Sequence, residues 1–287
     1  MSELAALWKF FAPGLLAGLI LAVVCAALGV LVLTKRVTFV GMTLSEVSAC
    51  GLALGLLLLH ALEPRLPAFA EKWSGAITML SAVAATAAAV TALALAANAR
   101  RVSQDGIMGI IFALAGATSI LLVSYSSFGL DEIKDLLWGN LLVAKPADLA
   151  MAAAVLLPLL AALIVLLPRL TLAFTDADLA RLMKGRPRAW ELAFFYALGV
   201  VVAVGSKIGG SLLVFAYLIA PASAGLLCSN RMGRAMAVSS AIAAVCTAAG
   251  LYLSVRFDVP ASQLVIVLLC LSPLAALGLA RAAGIKA

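Results

Sequence analysis

The chain has 287 residues, of which 65% are hydrophobic and only 11% are charged, and its mean hydropathy is +1.18. A soluble domain needs far more charge on its surface, so this composition excludes one and predicts a protein with several membrane-spanning helices. The apolar runs are continuous, which argues against a β-barrel. The net charge of +7 comes from short basic loops without the motifs of nucleic-acid recognition, so no nucleic-acid partner is expected.

Nine stretches of the chain are candidates for membrane spans by length and apolar character. The first is too long for a cleavable signal peptide. The segment GSKIGG leaves open whether 192–230 holds one pass or two unequal ones. We therefore expect an all-α fold, a single transmembrane domain over 1–287 that forms a polytopic bundle of eight or nine helices. The predicted spans are 10–34, 37–59, 74–99, 106–130, 149–168, 192–206, 208–230, 235–255 and 259–280.

The loops predict the orientation in the membrane. Alternating passes place every strongly basic loop on one side, which should be the cytoplasm. The opposite loops, 60–73 and 131–148, mix acidic and basic residues. A multi-pass protein of the cell (inner) membrane is expected, surrounded by lipid, with its N-terminus outside and its C-terminus in the cytoplasm. The basic segments are 34–36, 99–105, 169–189, 231–234 and 281–286.

Two segments between the spans carry patterns of their own. DEIKDLLWGN, at 131–140, is amphipathic and too short to span, which predicts a helix that lies on the outer surface or re-enters the membrane. FTDADLARLMKGRPRAW, at 174–190, predicts a short cytoplasmic helix that begins near Asp176 and ends by Gly185 and Pro187. Such a helix is either a connector or a docking point for a soluble partner.

Glu46 is the residue that the apolar pattern explains least. It stands in the second span, within TFVGMTLSEVSACGLALG, and an ionised side chain at membrane depth costs at least a few kcal/mol. Two interpretations remain open. The carboxylate could reach the cytoplasmic surface or pair with Lys35 or Arg36, or it could line a translocation route. Lys207 poses the same question, because it could extend to the outer surface or line the path.

The sequence contains no pattern of an enzyme. The single histidine, His60, stands at the end of a span, and no phosphate-binding loop, zinc-protease or dinucleotide motif is present. The five cysteines lie in apolar runs and are expected to be packing residues. Any process driven by ATP would therefore need a separate ATPase chain, and no cofactor is expected in this one.

Five segments, in order, resemble the membrane-spanning permease subunit of the zinc, manganese and iron ABC importers. The resemblance runs from about 12 to about 280, and it implies a fold of the type shared by vitamin B12 and metal importers. The segments are TKRVTFVGMTLSEVSACGLALGLLL, RRVSQDGIMGIIFALAGATSILLVS, DLLWGNLLVAKPADL, VGSKIGGSLLVFAYLIAPASAGLLCSNRMGRAM and GLYLSVRFDVPASQLVIVLL.

The resemblance implies a set of partners. A second permease copy or a paralogue completes a dimer, a cytoplasmic ATP-binding subunit binds and hydrolyses ATP, and an extracytoplasmic solute-binding protein delivers the cation. The short helix in 174–190 would be the coupling helix that fits into the ATPase. The residues expected at that contact are Asp176, Asp178, Leu179 and Arg181.

The chain departs from the family pattern at the expected metal ligands. The family has an Asp and a His four residues apart, and these positions are Met42 and Glu46 here. A thioether suits soft ions better than Mn²⁺ or Zn²⁺. Glu46 is thus the expected cation contact, with Ser45 as a weak helper and Lys207 as another residue of the pathway.

Three other functions stay open at this stage. A permease for a larger solute, such as a siderophore or vitamin, would share the general layout. A proton-coupled secondary transporter would use Glu46 as its proton-carrying group and would need no ATPase. A membrane scaffold without transport is the remaining reading, although buried ionisable groups usually have a role.

Overall fold

The computed structural model describes residues 2–62, 67–96, 104–125, 139, 141, 145–175, 187–229 and 231–282. Within these ranges the chain forms nine helices and no strand, and all nine are long and apolar enough to span a membrane. The helices are α1 Ser2–Thr34, α2 Phe39–Leu62, α3 Pro67–Ala96, α4 Gln104–Tyr125, α5 Pro146–Thr175, α6 Pro187–Gly209, α7 Ser211–Cys228, α8 Met232–Phe257 and α9 Ala261–Ala282. The predicted all-α bundle is confirmed.

The region that the sequence left ambiguous holds two helices. α6 ends at Gly209, and α7 begins at Ser211. Gly210 between them has φ of 86°, a backbone conformation that favours glycine. The spans within them are 21 and 18 residues long, so 192–230 contributes two passes rather than one. Of the amphipathic segment at 131–140, only Gly139 lies among the described residues, so the prediction of a surface or re-entrant helix is not tested.

The helices form two compact units that interleave along the chain. Unit 1 comprises Met1–Thr38, Asn140–Glu191 and Leu213–Ala287. Unit 2 comprises Phe39–Gly139 and Leu192–Leu212. α6 thus begins in unit 1 and continues in unit 2. The expectation of one domain over 1–287 stays a prediction.

In unit 1, α1 packs against α5 and α8, and α8 packs against α9. Two polar contacts join helices within this apolar core. The hydroxyls of Tyr217 and Thr247 lie 2.8 Å apart, and the Ser240 hydroxyl donates to the Val23 carbonyl at 3.2 Å. Lipid provides no hydrophobic driving force for helices to associate, so hydrogen bonds of this kind help to hold them together. Gly29 lets α1 approach the backbone of α7 at Leu218 closely enough that a side chain would not fit.

In unit 2, α2 packs against both α3 and α4. Its core contains Leu52, Ala82 and Ala203, with Met79 and Val83 packed around them. Small residues allow close contact on the α3 side, where a Cβ at Gly51 would stand 2.7 Å from the Ala82 Cα. Small residues at such contacts are how membrane helices pack closely without a hydrophobic drive from lipid.

Contacts at the helix ends of unit 1 agree with the predicted alternation. In unit 1, Lys35 after α1 contacts Phe174 at the end of α5. The Thr34 hydroxyl also lies 3.7 Å from the Met232 sulfur at the start of α8. Three of the basic segments therefore meet at one end of unit 1. That this end faces the cytoplasm remains a prediction from the charge pattern.

Candidate functional site

Glu46 lies on the face of α2 that packs against α4. A Cβ built at Gly116 of α4 would stand only 3.2 Å from Glu46 Oε1, so the carboxylate rests against the α4 backbone where a side chain is missing. The Glu46 side chain is partly exposed. It forms no hydrogen bond or ion pair with another residue that the structure describes.

Two contacts hold α2 against α4 just before this point. The Thr43 hydroxyl lies within hydrogen-bonding distance of the Phe39 carbonyl, at 3.0 Å, and of the Met108 carbonyl on α4, at 3.3 Å. The Phe39 and Phe112 rings meet edge to face with centroids 5.8 Å apart. These contacts fix the rotation of α2 relative to α4, and the next turn of α2 therefore carries Glu46 onto α4.

Met42 and Cys50 stand one turn before and one turn after Glu46. Residues four apart share a helix face, and all three are partly exposed, whereas most residues around them on α2 are buried. The face therefore presents a thioether, a carboxylate and a thiol in line.

Cys50 and Gly116 are the two residues that the sequence interpretation missed. The four-residue spacing from Glu46 was a usable signal for Cys50, which was assigned to packing with the other cysteines. No local signal marked Gly116, because its role depends on the contact between α2 and α4.

The other predicted pathway residues lie apart from this face. Ser45 is buried, and its hydroxyl donates to the Gly41 carbonyl one turn earlier at 2.8 Å. Lys207 stands in the last turn of α6 with Nζ 3.4 Å from the Gly75 carbonyl of α3. Since α3 meets Gly55 of α2 at Thr78, Lys207 belongs to the end of unit 2 far from Glu46. The roles assigned to Ser45 and Lys207 stay predictions.

The described residues contain no group of three or more His, Cys, Asp or Glu side chains that could hold a metal ion. A cation at Glu46 would therefore need the sulfur ligands of its own helix face, or ligands from elsewhere. The residues expected at the ATPase contact, Asp176, Asp178, Leu179 and Arg181, lie outside the described residues. Only the two ends of their segment are described.

This fold and this site define a class of protein, a multi-span helical membrane protein with an acidic side chain on a packed helix of the membrane-spanning region. A sequence model of the ABC 3 transport family matches residues 8–280. The chain therefore belongs to the ABC 3 transport family.

Two curated relatives show how far the similarity extends. The manganese transport system membrane protein MntC of Halalkalibacterium halodurans is 23% identical over 88% of this chain and 81% of that protein. The chelated iron transport system membrane protein YfeC of Yersinia pestis is 26% identical over 59% of this chain, and the match spans 58% of YfeC.

A solved structure supports the fold independently. A chain of PsaBC from Streptococcus pneumoniae in complex with Fab superposes with a TM-score of 0.80 at 19% identity, covering 96% of this chain and 94% of that one. At this level of identity the likeness establishes the architecture and leaves the ligand undefined.

Proposed function

We propose that this chain is the membrane-spanning permease subunit of an ATP-binding-cassette importer that carries a divalent metal cation, zinc, manganese or iron, inward. The observation that carries the proposal is the Glu46 carboxylate, which is partly exposed and lies against Gly116 in the contact between α2 and α4. Carboxylates at membrane depth mark ion pathways. Family membership and relatives named for manganese and iron transport support a metal as the substrate.

The chemistry of the Glu46 face bears on which metal is carried. The carboxylate is a ligand that all three candidate ions accept. Cys50 adds a thiol, which as thiolate is a common ligand of Zn²⁺, whereas Mn²⁺ prefers oxygen. The Met42 thioether is softer still and suits neither ion well. A cation held by Glu46 with Cys50 would be zinc or ferrous iron rather than manganese, whereas one held by Glu46 alone could be any of the three.

The remaining parts of the importer are separate chains. ATP is bound and hydrolysed by a cytoplasmic ATP-binding subunit that contacts the segment 174–190 through Asp176, Asp178, Leu179 and Arg181. A second copy of the permease or a paralogue completes the dimer, and an extracytoplasmic solute-binding protein delivers the cation. The inner membrane is the proposed location, with the N-terminus outside and the C-terminus in the cytoplasm.

The test is uptake of Zn²⁺, Mn²⁺ and Fe²⁺ by proteoliposomes that hold the permease with its ATP-binding subunit and binding protein. Glu46→Gln removes the charge and keeps the shape of the side chain, and we expect it to lower uptake about tenfold or more, the usual scale for losing a metal-site interaction. Ser48→Ala is the matched control, because Ser48 is buried nearby on the same helix. It should transport as the wild type does.

Three results would contradict the proposal. Normal uptake by Glu46→Gln would remove Glu46 from the mechanism. Uptake that proceeds without ATP and collapses with the proton gradient would identify a secondary transporter instead. Uptake of a siderophore or vitamin, with none of the free ions carried, would assign the chain to a larger solute.

A further inference from the structure

Five side chains form a cluster at the end of unit 1 where the basic segments meet. Lys35 Nζ lies 3.0 Å from Glu191 Oε1 and 5.1 Å from the centroid of the Phe174 ring. Beside them, Arg169 Cζ lies 5.6 Å from the centroid of the Trp190 ring. We call these residues, Lys35, Arg169, Phe174, Trp190 and Glu191, the loop clamp. They combine one ion pair with two cation–π contacts.

The loop clamp holds both ends of one segment. Phe174 stands at the end of α5, and Glu191 stands in the first turns of α6. Between these helices runs the segment that, by the family resemblance, would fit into the ATPase. Lys35 is the only member of the loop clamp from a different part of the chain, and it contacts one residue on each side of that segment. Lys35 therefore joins the two ends from outside the segment, and the contact between Arg169 of α5 and Trp190 of α6 joins them a second time.

The backbone fixes the position of Lys35. α1 ends in a paired cap, in which the Arg36 amide donates to the Leu33 carbonyl at 3.0 Å and the Val37 amide to the Val32 carbonyl at 3.4 Å. Arg36 adopts φ of 59°, the left-handed conformation that this cap requires. Because Val32 and Val37 are buried, the cap is anchored in the core, and the lysine extends from a rigid helix end.

Two members of the loop clamp stand next to the points where the chain passes from unit 1 to unit 2. The chain leaves unit 1 for unit 2 after Thr38 and again after Glu191. Lys35 and Glu191 stand at these two exits, one leading into α2, which carries Glu46, and the other into the rest of α6. Lys35 thus lies three residues before the first exit, and Glu191 is the last residue before the second.

We propose that Lys35 is a positioning residue for energy coupling, which by holding Glu191 and Phe174 transmits movement of the segment 174–190 to α2 and α6. This rests on the proposed function, since the ATP-binding subunit is what would move the segment. The Lys35 and Glu191 side chains are 24% and 32% exposed. An ion pair at that exposure adds little to folding stability, so its loss should affect coupling far more than folding.

The experiment measures ions transported per ATP hydrolysed by the reconstituted complex of permease, ATP-binding subunit and binding protein. Lys35→Glu and Glu191→Lys should each lower this ratio about fivefold, the smaller end of the usual range for coupling between sites. The double variant Lys35→Glu with Glu191→Lys restores the ion pair and should recover most of the loss. Lys35→Arg keeps the charge and the cation–π contact, and its ratio should stay close to that of the wild type.

Three controls separate coupling from folding. Glu191→Gln removes one charge and keeps nearly the same side-chain shape. It should lower the number of ions transported per ATP, and it serves as the test if the charge reversals Lys35→Glu and Glu191→Lys impair folding. Arg234→Ala removes another exposed cation near the start of α8 and should leave the ratio unchanged. The thermal unfolding midpoint of each purified variant should match that of the wild type.

The inference fails if Lys35→Glu and Glu191→Gln keep the wild-type ratio, or if the double variant recovers nothing. In those cases the proposed function is retained if the wild-type complex still couples ATP hydrolysis to uptake. A wild-type chain that binds no ATP-binding subunit would overturn the proposed function and this inference together.

Discussion

The two faces of α2 in unit 2 differ in how closely the neighbouring helix approaches. Towards α3, a Cβ at Gly51 would stand 2.7 Å from the Ala82 Cα, and one at Gly55 would stand 2.8 Å from the Thr78 Cα. Towards α4, the side chain of Glu46 occupies the space that Gly116 leaves free. The face towards α3 allows two backbones to come into contact, whereas the face towards α4 accommodates a charged side chain.

The glycines at the two contacts of α2 have different roles. In lipid, helices gain from close van der Waals packing, so glycines on both sides of a contact would normally bring the backbones together. At Gly116 the absence of a side chain leaves a gap between α4 and α2, and the Glu46 carboxylate of α2 fills it. A polar group inside the membrane persists when it has a function. The α3 face therefore supports the fold, and the α4 face carries the proposed site.

The largest expected effect comes from breaking the α3 face. Gly51→Leu puts a side chain against the backbone of α3 at Ala82 and Ser81, which cannot move aside as a flexible side chain could. Overpacking of this kind costs about 1–3 kcal/mol or more. We expect a clear loss of the folded chain, measured as the yield of monodisperse protein in detergent and its thermal unfolding midpoint.

Gly109→Leu on α4 is the control for that experiment. Apart from the adjoining part of its own helix, no atom of the described residues lies within 4 Å of where a Cβ at Gly109 would stand, so this variant should fold normally. Equal loss of folded protein in the two variants would show that any leucine at a helical glycine is harmful and that the close contact with α3 is not the cause.

An intermediate effect is expected from Gly116→Val on the α4 face. The added side chain takes the space of Glu46 Oε1, and the carboxylate, at the end of a flexible side chain, moves away without unfolding the helix pair. A misplacement of about 1 Å can reduce a rate by about a hundredfold, so we expect metal uptake to fall by about tenfold or more at an unchanged unfolding midpoint. Uptake assays and thermal unfolding of the same preparation give both quantities.

Gly109→Val again provides the control and should transport as the wild type does. If Gly116→Val unfolds the chain as Gly51→Leu is expected to, then the two faces of α2 are packed alike. The distinction between a packing face and a site face would then be lost.

The contrast between the faces also shows what the sequence could predict. Eight or nine spans follow from the length of the apolar runs, because that signal is local. GSKIGG marked a possible break but left open whether 192–230 crosses once or twice, and the structure resolves this with two helices that meet at Gly210. Glu46 stood out as a charge in an apolar run. Gly116 did not, since a glycine in an apolar helix says nothing about which neighbour it faces.

The loop clamp could not be predicted from the sequence for the same reason. Lys35 was considered as a partner of Glu46, close by in the chain, yet in the structure it pairs with Glu191, far away in sequence. Charge patterns reveal pairs within one helix, but they do not reveal which distant helix ends meet. Those contacts depend on the packing of α1 against α5 and on the start of α6.

The smallest expected effect concerns Ser48, which belongs to the packing side of α2 one turn before Gly51 and Leu52. Its side chain is fully buried, and its hydroxyl has no hydrogen-bond partner among the residues that the structure describes. A buried polar group without a partner costs about 1–3 kcal/mol, so Ser48→Ala should leave the unfolding midpoint unchanged or raise it slightly. Alanine also fits the space without creating a large cavity. A clear drop in the midpoint would mean that the hydroxyl binds a group on this side, and the α3 face of α2 would then contain a polar interaction of its own.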